Sequence, residues 1–133
     1  MDGTQQTAHG ATVFIVDDDA MVRRALARLL HSAGHQAETF ESARAFLART
    51  PAAEQGIVLL DVCMPGRSGP ELQQDLLDRG SRLEILFMSA LDDAHVRERV
   101  LVAGARAWLT KPVDAEQLLA LLSGRREMRQ GAG

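Results

Sequence analysis

Five short runs of apolar, strand-favouring residues alternate with five stretches whose apolar residues recur at helical spacing, and no other property of the chain narrows its fold as far. Strands separated by helices read as one parallel sheet with helices on both faces, a doubly wound α/β fold of alternating (βα)5 units. The first run, Thr12 to Val16, leads into a predicted helix from about Ala20 to Ala33, where Val22, Leu26, Leu29 and Leu30 share a face before Gly34. Asp19 is placed to cap its start. A short second strand, Gln36 to Phe40, precedes a helix carrying Ala43, Phe46 and Leu47 that stops near Pro51. Ile57 to Leu60 is the third strand. Ser68-Gly69-Pro70-Glu71 forms an S-x-x-E capping box opening a helix through Leu72, Leu76 and Leu77. Leu83 to Met88 is the fourth strand, about Asp92 to Ala103 the fourth helix, with Val96 and Val100, and Ala107 to Thr110 the fifth strand. Asp114, three residues before Gln117, caps a last helix holding Leu118, Leu119, Leu121 and Leu122.

Polar signals stand at the ends of three of these strands: Asp17-Asp18-Asp19, Asp61 and Lys111-Pro112. In an open parallel sheet the carboxyl ends of neighbouring strands meet in one crevice, so these residues are predicted to converge. Capping accounts for one aspartate but not for three in a row, because adjacent like charges repel. A divalent cation relieves that repulsion, and carboxylate oxygens suit magnesium. Asp61 follows four apolar residues and precedes x-x-x-Pro-Gly, which favours a functional role over a plain turn. Three acids and a lysine therefore outline a pocket for a cation and a phosphoryl group. Lys111-Pro112 is a candidate cis bond, since cis peptides are essentially confined to proline. Ser89, ending the fourth strand, either caps the next helix or belongs to the same edge as the acids. Trp108, alone of its kind, reads as a core residue. His9, His31, His35 and His95 show no metal-ligand spacing and read as solvated or packing residues.

The chain has 133 residues, enough for one domain with a core, expected over 11–123 with tails at 1–10 and 124–133. No apolar run reaches the roughly 18 residues of a membrane span, and the polar start from Met1 to Gly10 lacks the core of a signal peptide, so the expectation is a cytoplasmic protein without membrane contact. A single cysteine, Cys63, excludes an internal disulfide framework. With a net charge of -3 there is no basic footprint for nucleic acid.

Four motifs in order, V-D-D-D at 16–19, L-D-x-x-M-P-G-x-S-G at 60–69, M-S-A at 88–90 and K-P at 111–112, give the chain a close resemblance to the receiver domains of two-component response regulators, the flavodoxin-like, CheY-like family, over roughly Ala11 to Leu122. The resemblance implies that Asp61 is the phosphoryl acceptor, taking its group from the phosphohistidine of a sensor histidine kinase. It implies magnesium as cofactor, with manganese as a substitute, held by Asp18, Asp61 and the Cys63 backbone carbonyl, with Asp17 acting through water. Lys111 would contact the phosphoryl group, while Ser89 and Trp108 would be the switch hydroxyl and switch aromatic. Such a domain is no enzyme beyond its own phosphorylation and dephosphorylation. Its implied partners are the kinase, a downstream protein or output domain, and a second copy through the fourth helix, fifth strand and fifth helix. Arg125, Arg126 and Arg129 begin either a linker to an output domain or a solvated tail.

Two departures carry expectations. Trp108 is larger than the tyrosine or phenylalanine common in the family, and its indole N–H needs a partner when buried, which works against full inward rotation. Cys63 and Leu91, two positions after Asp61 and Ser89, offer no charged or amide group to position a hydrolytic water, which predicts a long-lived phosphorylated state. An alternative is a haloacid-dehalogenase-like phosphatase with Asp17 as nucleophile, Asp19, Ser89 and Lys111 completing its motifs. Against it, Met21 stands where that family has threonine or valine, no Gly-Asp-x-x-x-Asp follows Lys111, and Asp61 is left without a role. The first strand is followed by no G-x-G-x-x-G or Walker loop, which argues still more strongly against a nucleotide-binding Rossmann domain.

Overall fold

A computed structural model describes residues 12–50 and 54–124. Its elements are β1 (Thr12–Val16), α1 (Ala20–Ser32), β2 (Gln36–Phe40), α2 (Ala43–Arg49), β3 (Ile57–Asp61), α3 (Gly69–Asp78), β4 (Glu84–Ser89), α4 (Ala94–Val102), β5 (Ala107–Thr110) and α5 (Ala115–Gly124). All neighbouring strands pair in parallel, in the order β2-β1-β3-β4-β5. This is the doubly wound, flavodoxin-like arrangement expected from the alternation, with its topological switch between β1 and β3.

Successive strand residues point to opposite faces, and each face has its own core. Phe14, Val16, Val58, Leu60 and Phe87 meet Ala43 and Phe46 of α2, Leu72 and Leu76 of α3, and Val100 of α4. Val13, Ile15, Leu59, Leu86, Met88 and Leu109 meet Leu26 and Leu30 of α1 and Leu118 of α5. Burial on both sides explains why β1, β3 and β4 are nearly continuous apolar runs. Each fully buried Leu or Phe contributes about 1.5–3 kcal/mol, enough to fix the register of the strands that carry the polar ends.

The ends of most elements follow the predicted caps. Asp19 accepts hydrogen bonds from the Met21 and Val22 N–H groups, Ser68 and Glu71 form the reciprocal capping box, and Asp114 accepts from Gln117. Several boundaries move. β3 includes Asp61, because the pairing of Asp61 with Met88 continues the ladder. β4 runs one residue later than Leu83 to Met88: the Leu83 N–H goes to the Ser81 hydroxyl, the Glu84 N–H bonds Gly56, and Ser89 pairs with Thr110. α4 begins at Ala94, not Asp92, because Asp93 is its cap and accepts from His95 and Val96. α1 and α4 end at Ser32 and Val102, one residue short of expectation. The predicted tails, Arg125, Arg126, Arg129, His9 and Pro51 lie outside the described residues. His31 and His95 are exposed and His35 is half-buried.

Every helix returns the chain to the amino edge of the sheet before the next strand. At that edge Arg106 donates to Glu84 at 2.8 Å and to the Leu121 carbonyl at 2.6 Å, fastening the end of α5 to the start of β4.

Candidate functional site

The parallel register decides which side chains meet. Val16 pairs with Leu60, so the residues that follow, Asp17 and Asp61, emerge side by side at the switch between β1 and β3. Ser89 pairs with Thr110, so Lys111 leaves β5 just beyond Ser89, and a cis peptide joins it to Pro112.

Asp17 is fully buried and completely bonded. Its carboxylate accepts from the Asp19 N–H at 2.9 Å and from Lys111 Nζ at 2.6 Å, and its carbonyl accepts from Arg23 at 2.7 Å. Lys111 Nζ also stands 3.3 Å from Asp61 Oδ1. Carboxylate oxygens of Asp17, Asp18 and Asp61 lie within 4.8 Å of one another, with Asp18 exposed and the other two buried. Asp19, by contrast, is spent on the cap of α1.

Three carboxylates against one ammonium leave the cluster electrostatically stressed. Asp61 shows it: burial first, and the charge of Asp17 second, raise its pKa to about 6, while Lys111 and a hydrogen bond from the Cys63 backbone oppose the rise. Burial also works to lower the Lys111 pKa, but the Asp17 hydrogen bond and the charges of both aspartates outweigh it, and the net shift is upward. Lys111 therefore serves Asp17 more than Asp61. The residues fit a divalent cation: three hard oxygen donors already gathered, with a surplus of negative charge that a cation offsets.

Two loops flank the cluster. In the loop from β3 to α3 the Val62 N–H donates to Met88, the Gly69 N–H returns to Val62, and Met64 is buried. A Cβ on Gly69 would stand 2.4 Å from the Asp61 carbonyl oxygen, so only glycine permits this approach. The loop from β4 to α4 is slighter. The Ser89 hydroxyl donates to the Leu91 carbonyl at 2.6 Å and accepts from the Leu91 N–H at 3.1 Å, so it faces its own loop and caps no helix. α4 has one buried residue, Val100, whose carbonyl accepts from the buried Gln73 of α3 at 3.0 Å. An open groove of about 890 Å³ lies between these helices beside the β3–α3 loop, lined by Cys63, Met64, Pro65, Gln74, Val96 and Arg99 among others. Trp108 packs on Phe87 with ring centroids 6.4 Å apart, partly buried, and its indole N–H is buried without a partner among the described residues. Such a group costs about 1–3 kcal/mol. It packs against the core as expected, while remaining only partly buried.

Sequence reasoning brought together Asp17, Asp18, Asp61, Lys111 and Ser89 at one edge. It passed over Arg23, whose hold on the Asp17 carbonyl is a contact across six residues with no motif to announce it. It also read the Gly69 position as part of a motif without seeing the close approach.

A 2-1-3-4-5 sheet with acids at the switch and a lysine after the last strand is the architecture of CheY-like domains. Residues 13–123 match the response regulator receiver domain, and the chain belongs to that family. It is 42% identical over 127 residues to the transcriptional regulatory protein TdiR of Thauera aromatica, covering 92% of this chain and 56% of that one. Among solved structures, response regulator StyR superposes with a TM-score of 0.77 at 39% identity, covering 92% of this chain and 65% of StyR. A response regulator receiver protein from Burkholderia phymatum does so with 0.71 at 42% identity, covering 86% and 95%. The chain thus spans about half the length of the curated relatives it matches. It is a receiver domain of the two-component response regulator type, a signalling domain. The haloacid-dehalogenase-like alternative finds no support: the family match lies elsewhere, and the second aspartate it requires, Asp19, caps a helix. No helix among the described residues is long and apolar enough to cross a membrane.

Proposed function

We propose that Asp61 accepts a phosphoryl group from the phosphohistidine of a sensor histidine kinase, in a magnesium-dependent reaction that alters the face made by α4, β5 and α5. The observation that carries this reading is the meeting of Asp61 with Asp17, Asp18 and Lys111 at the switch between β1 and β3. Asp18, Asp61 and the Cys63 backbone carbonyl would hold the cation, with Asp17 reaching it through water. Bound there, it would neutralise charge on the incoming phosphoryl oxygens.

The chain's own part begins with an ionised Asp61, the major form above its pKa of about 6. A carboxylate oxygen forms the new bond to phosphorus, the phosphorus–nitrogen bond of the donor breaks, and the imidazole leaves as neutral histidine after taking up a proton. Lys111 moves from Asp17 toward the phosphoryl oxygens. Ser89 exchanges its bonds with Leu91 for one to the same oxygens, and Trp108 shifts beside it. Hydrolysis returns Asp61 to its free form, slowly, because Cys63 and Leu91 present no group to orient water. The greater length of the relatives, one of them named a transcriptional regulatory protein, supports an output domain as the downstream partner. A second copy would pair through the same face.

Intact-mass measurement after incubation with magnesium and acetyl phosphate tests the assignment. One phosphoryl group is expected on the wild type and none on Asp61→Asn. Labelling that survives Asp61→Asn but is lost in Asp17→Asn overturns it.

A further inference from the structure

The loop from β3 to α3 is held at an exposed point by a side chain that the phosphoryl chemistry does not use. Its base is closed by the Gly69 to Val62 hydrogen bond, Ser68 is fixed by the capping box, and Met64 is buried. Between Met64 and Ser68 the chain passes through Pro65, Gly66 and Arg67, all exposed. Gly66 adopts φ +86°, and nothing lies within 4 Å of where its Cβ would stand. A stretch like this has little of its own to select one conformation. Arg67 supplies the selection: Nε donates to Asp75 Oδ2 at 2.6 Å and Nη2 to Asp75 Oδ1 at 2.9 Å, a planar fork onto the second turn of α3. The two groups keep each other charged, the Arg67 hydrogen bond holding the Asp75 carboxyl below its usual range and the Asp75 carboxylate raising the guanidinium.

We propose that the Arg67–Asp75 fork is a positioning pair for cation binding, restricting the loop to the conformer in which the Cys63 backbone reaches Asp61. The inference rests on the proposed function, which makes the Cys63 carbonyl one of the oxygen donors. Neither Arg67 nor Asp75 touches the cation or the phosphoryl group; both act through the loop. The effect is modest, because ion pairs this exposed are weak, and the fork geometry places it at the upper end of their range.

Charge alone predicts something different, which makes the test decisive. If the two side chains acted through space on an acidic site, removing the cation would tighten magnesium binding and removing the anion would weaken it. Positioning predicts the same direction for both. Calorimetric titration of the full chain with magnesium chloride should show Arg67→Gln and Asp75→Asn each binding about 3- to 5-fold more weakly. Hydrogen exchange at the loop amides of the metal-free protein should quicken in both. The reversed pair, Arg67→Asp with Asp75→Arg, should restore affinity and protection at unchanged net charge. Opposite signs for the single variants, affinities equal to the wild type, or a reversed pair that restores nothing each overturn the proposal. If the wild type itself binds no magnesium, the proposed function falls first and this inference with it.

Discussion

The loops on either side of Asp61 are built in opposite ways. From β3 to α3 the chain is fastened by the Gly69 to Val62 bond, a capping box, a buried methionine and the Arg67–Asp75 fork, and it approaches the Asp61 backbone so closely that no side chain fits at Gly69. From β4 to α4 the fastening lies at the surface: the Ser89 hydroxyl bonds Leu91, a residue 67% exposed, Asp93 caps α4 through the His95 and Val96 N–H groups, Arg97 stands 3.4 Å from Asp92, and no residue between Ser89 and Ala94 is buried. The helix beyond this loop is pinned near its far end by Val100 and Gln73, with an open groove along the flank that carries Val96 and Arg99. On the function proposed above, a site that holds a cation in fixed geometry and also reports its occupancy would need both kinds of loop. Rigidity is allotted to one side of Asp61 and freedom to the other.

The largest effect is expected on the rigid side. Gly69→Ala forces a Cβ against the Asp61 carbonyl, the Val62 backbone and Phe87, and should cost about 3 kcal/mol in urea unfolding. Unchanged stability would mean that the loop yields freely and the contrast is overdrawn.

Next comes the charge between the loops. The folded-state pKa of Asp61, about 6, lies above its ordinary 3.8, so the folded protein binds this proton more tightly than the unfolded chain. The resulting stability is fully present below pH 3.8 and is lost as pH rises through 6. At neutral pH Asp61→Asn should therefore stabilise the metal-free protein, by roughly 1–3 kcal/mol, with the gain fading on acidification toward pH 4. Equal denaturation curves for variant and wild type at pH 7 would remove the electrostatic stress from the account. Asp18→Ala should weaken magnesium binding by about tenfold while folding is kept or improved; an unchanged titration would remove Asp18 from the cation site.

The smallest effects belong to the loose side. Ser89→Ala removes both bonds to Leu91 and should cost about 1 kcal/mol or less, with faster hydrogen exchange confined to the β4–α4 loop. Beryllofluoride with magnesium should change the emission of Trp108, the sole tryptophan, and Ser89→Ala should blunt the change without preventing binding. Identical emission before and after confirmed binding would make Trp108 a static residue.

Much of this was legible in the sequence because it depends on periodicity and strand order. Apolar runs located the strands, strand order located the edge, and the polar residues next to those runs located Asp17, Asp61 and Lys111. The caps Asp19, Ser68 and Asp114 were equally readable, since each acts within a few residues. What escaped depends on tertiary approach. Arg23 on the Asp17 carbonyl, the crowding at Gly69 and the fork from Arg67 to Asp75 each join residues whose spacing carries no recurring pattern. The turn of the Ser89 hydroxyl toward Leu91, and the unpartnered indole N–H of Trp108, are matters of side-chain orientation that a one-dimensional reading leaves open.

The Arg106 clamp has a consequence for distance. By tying the Leu121 carbonyl to the amino edge of the sheet, it makes any segment joined after Gly124 depart from the end of the molecule opposite the acids. A five-residue strand such as β3 separates the two ends by roughly 17 Å. No side chain at Asp61 reaches that far, so on the function proposed above news of its occupancy would travel along a flank of the domain, past a point of departure that the clamp moors.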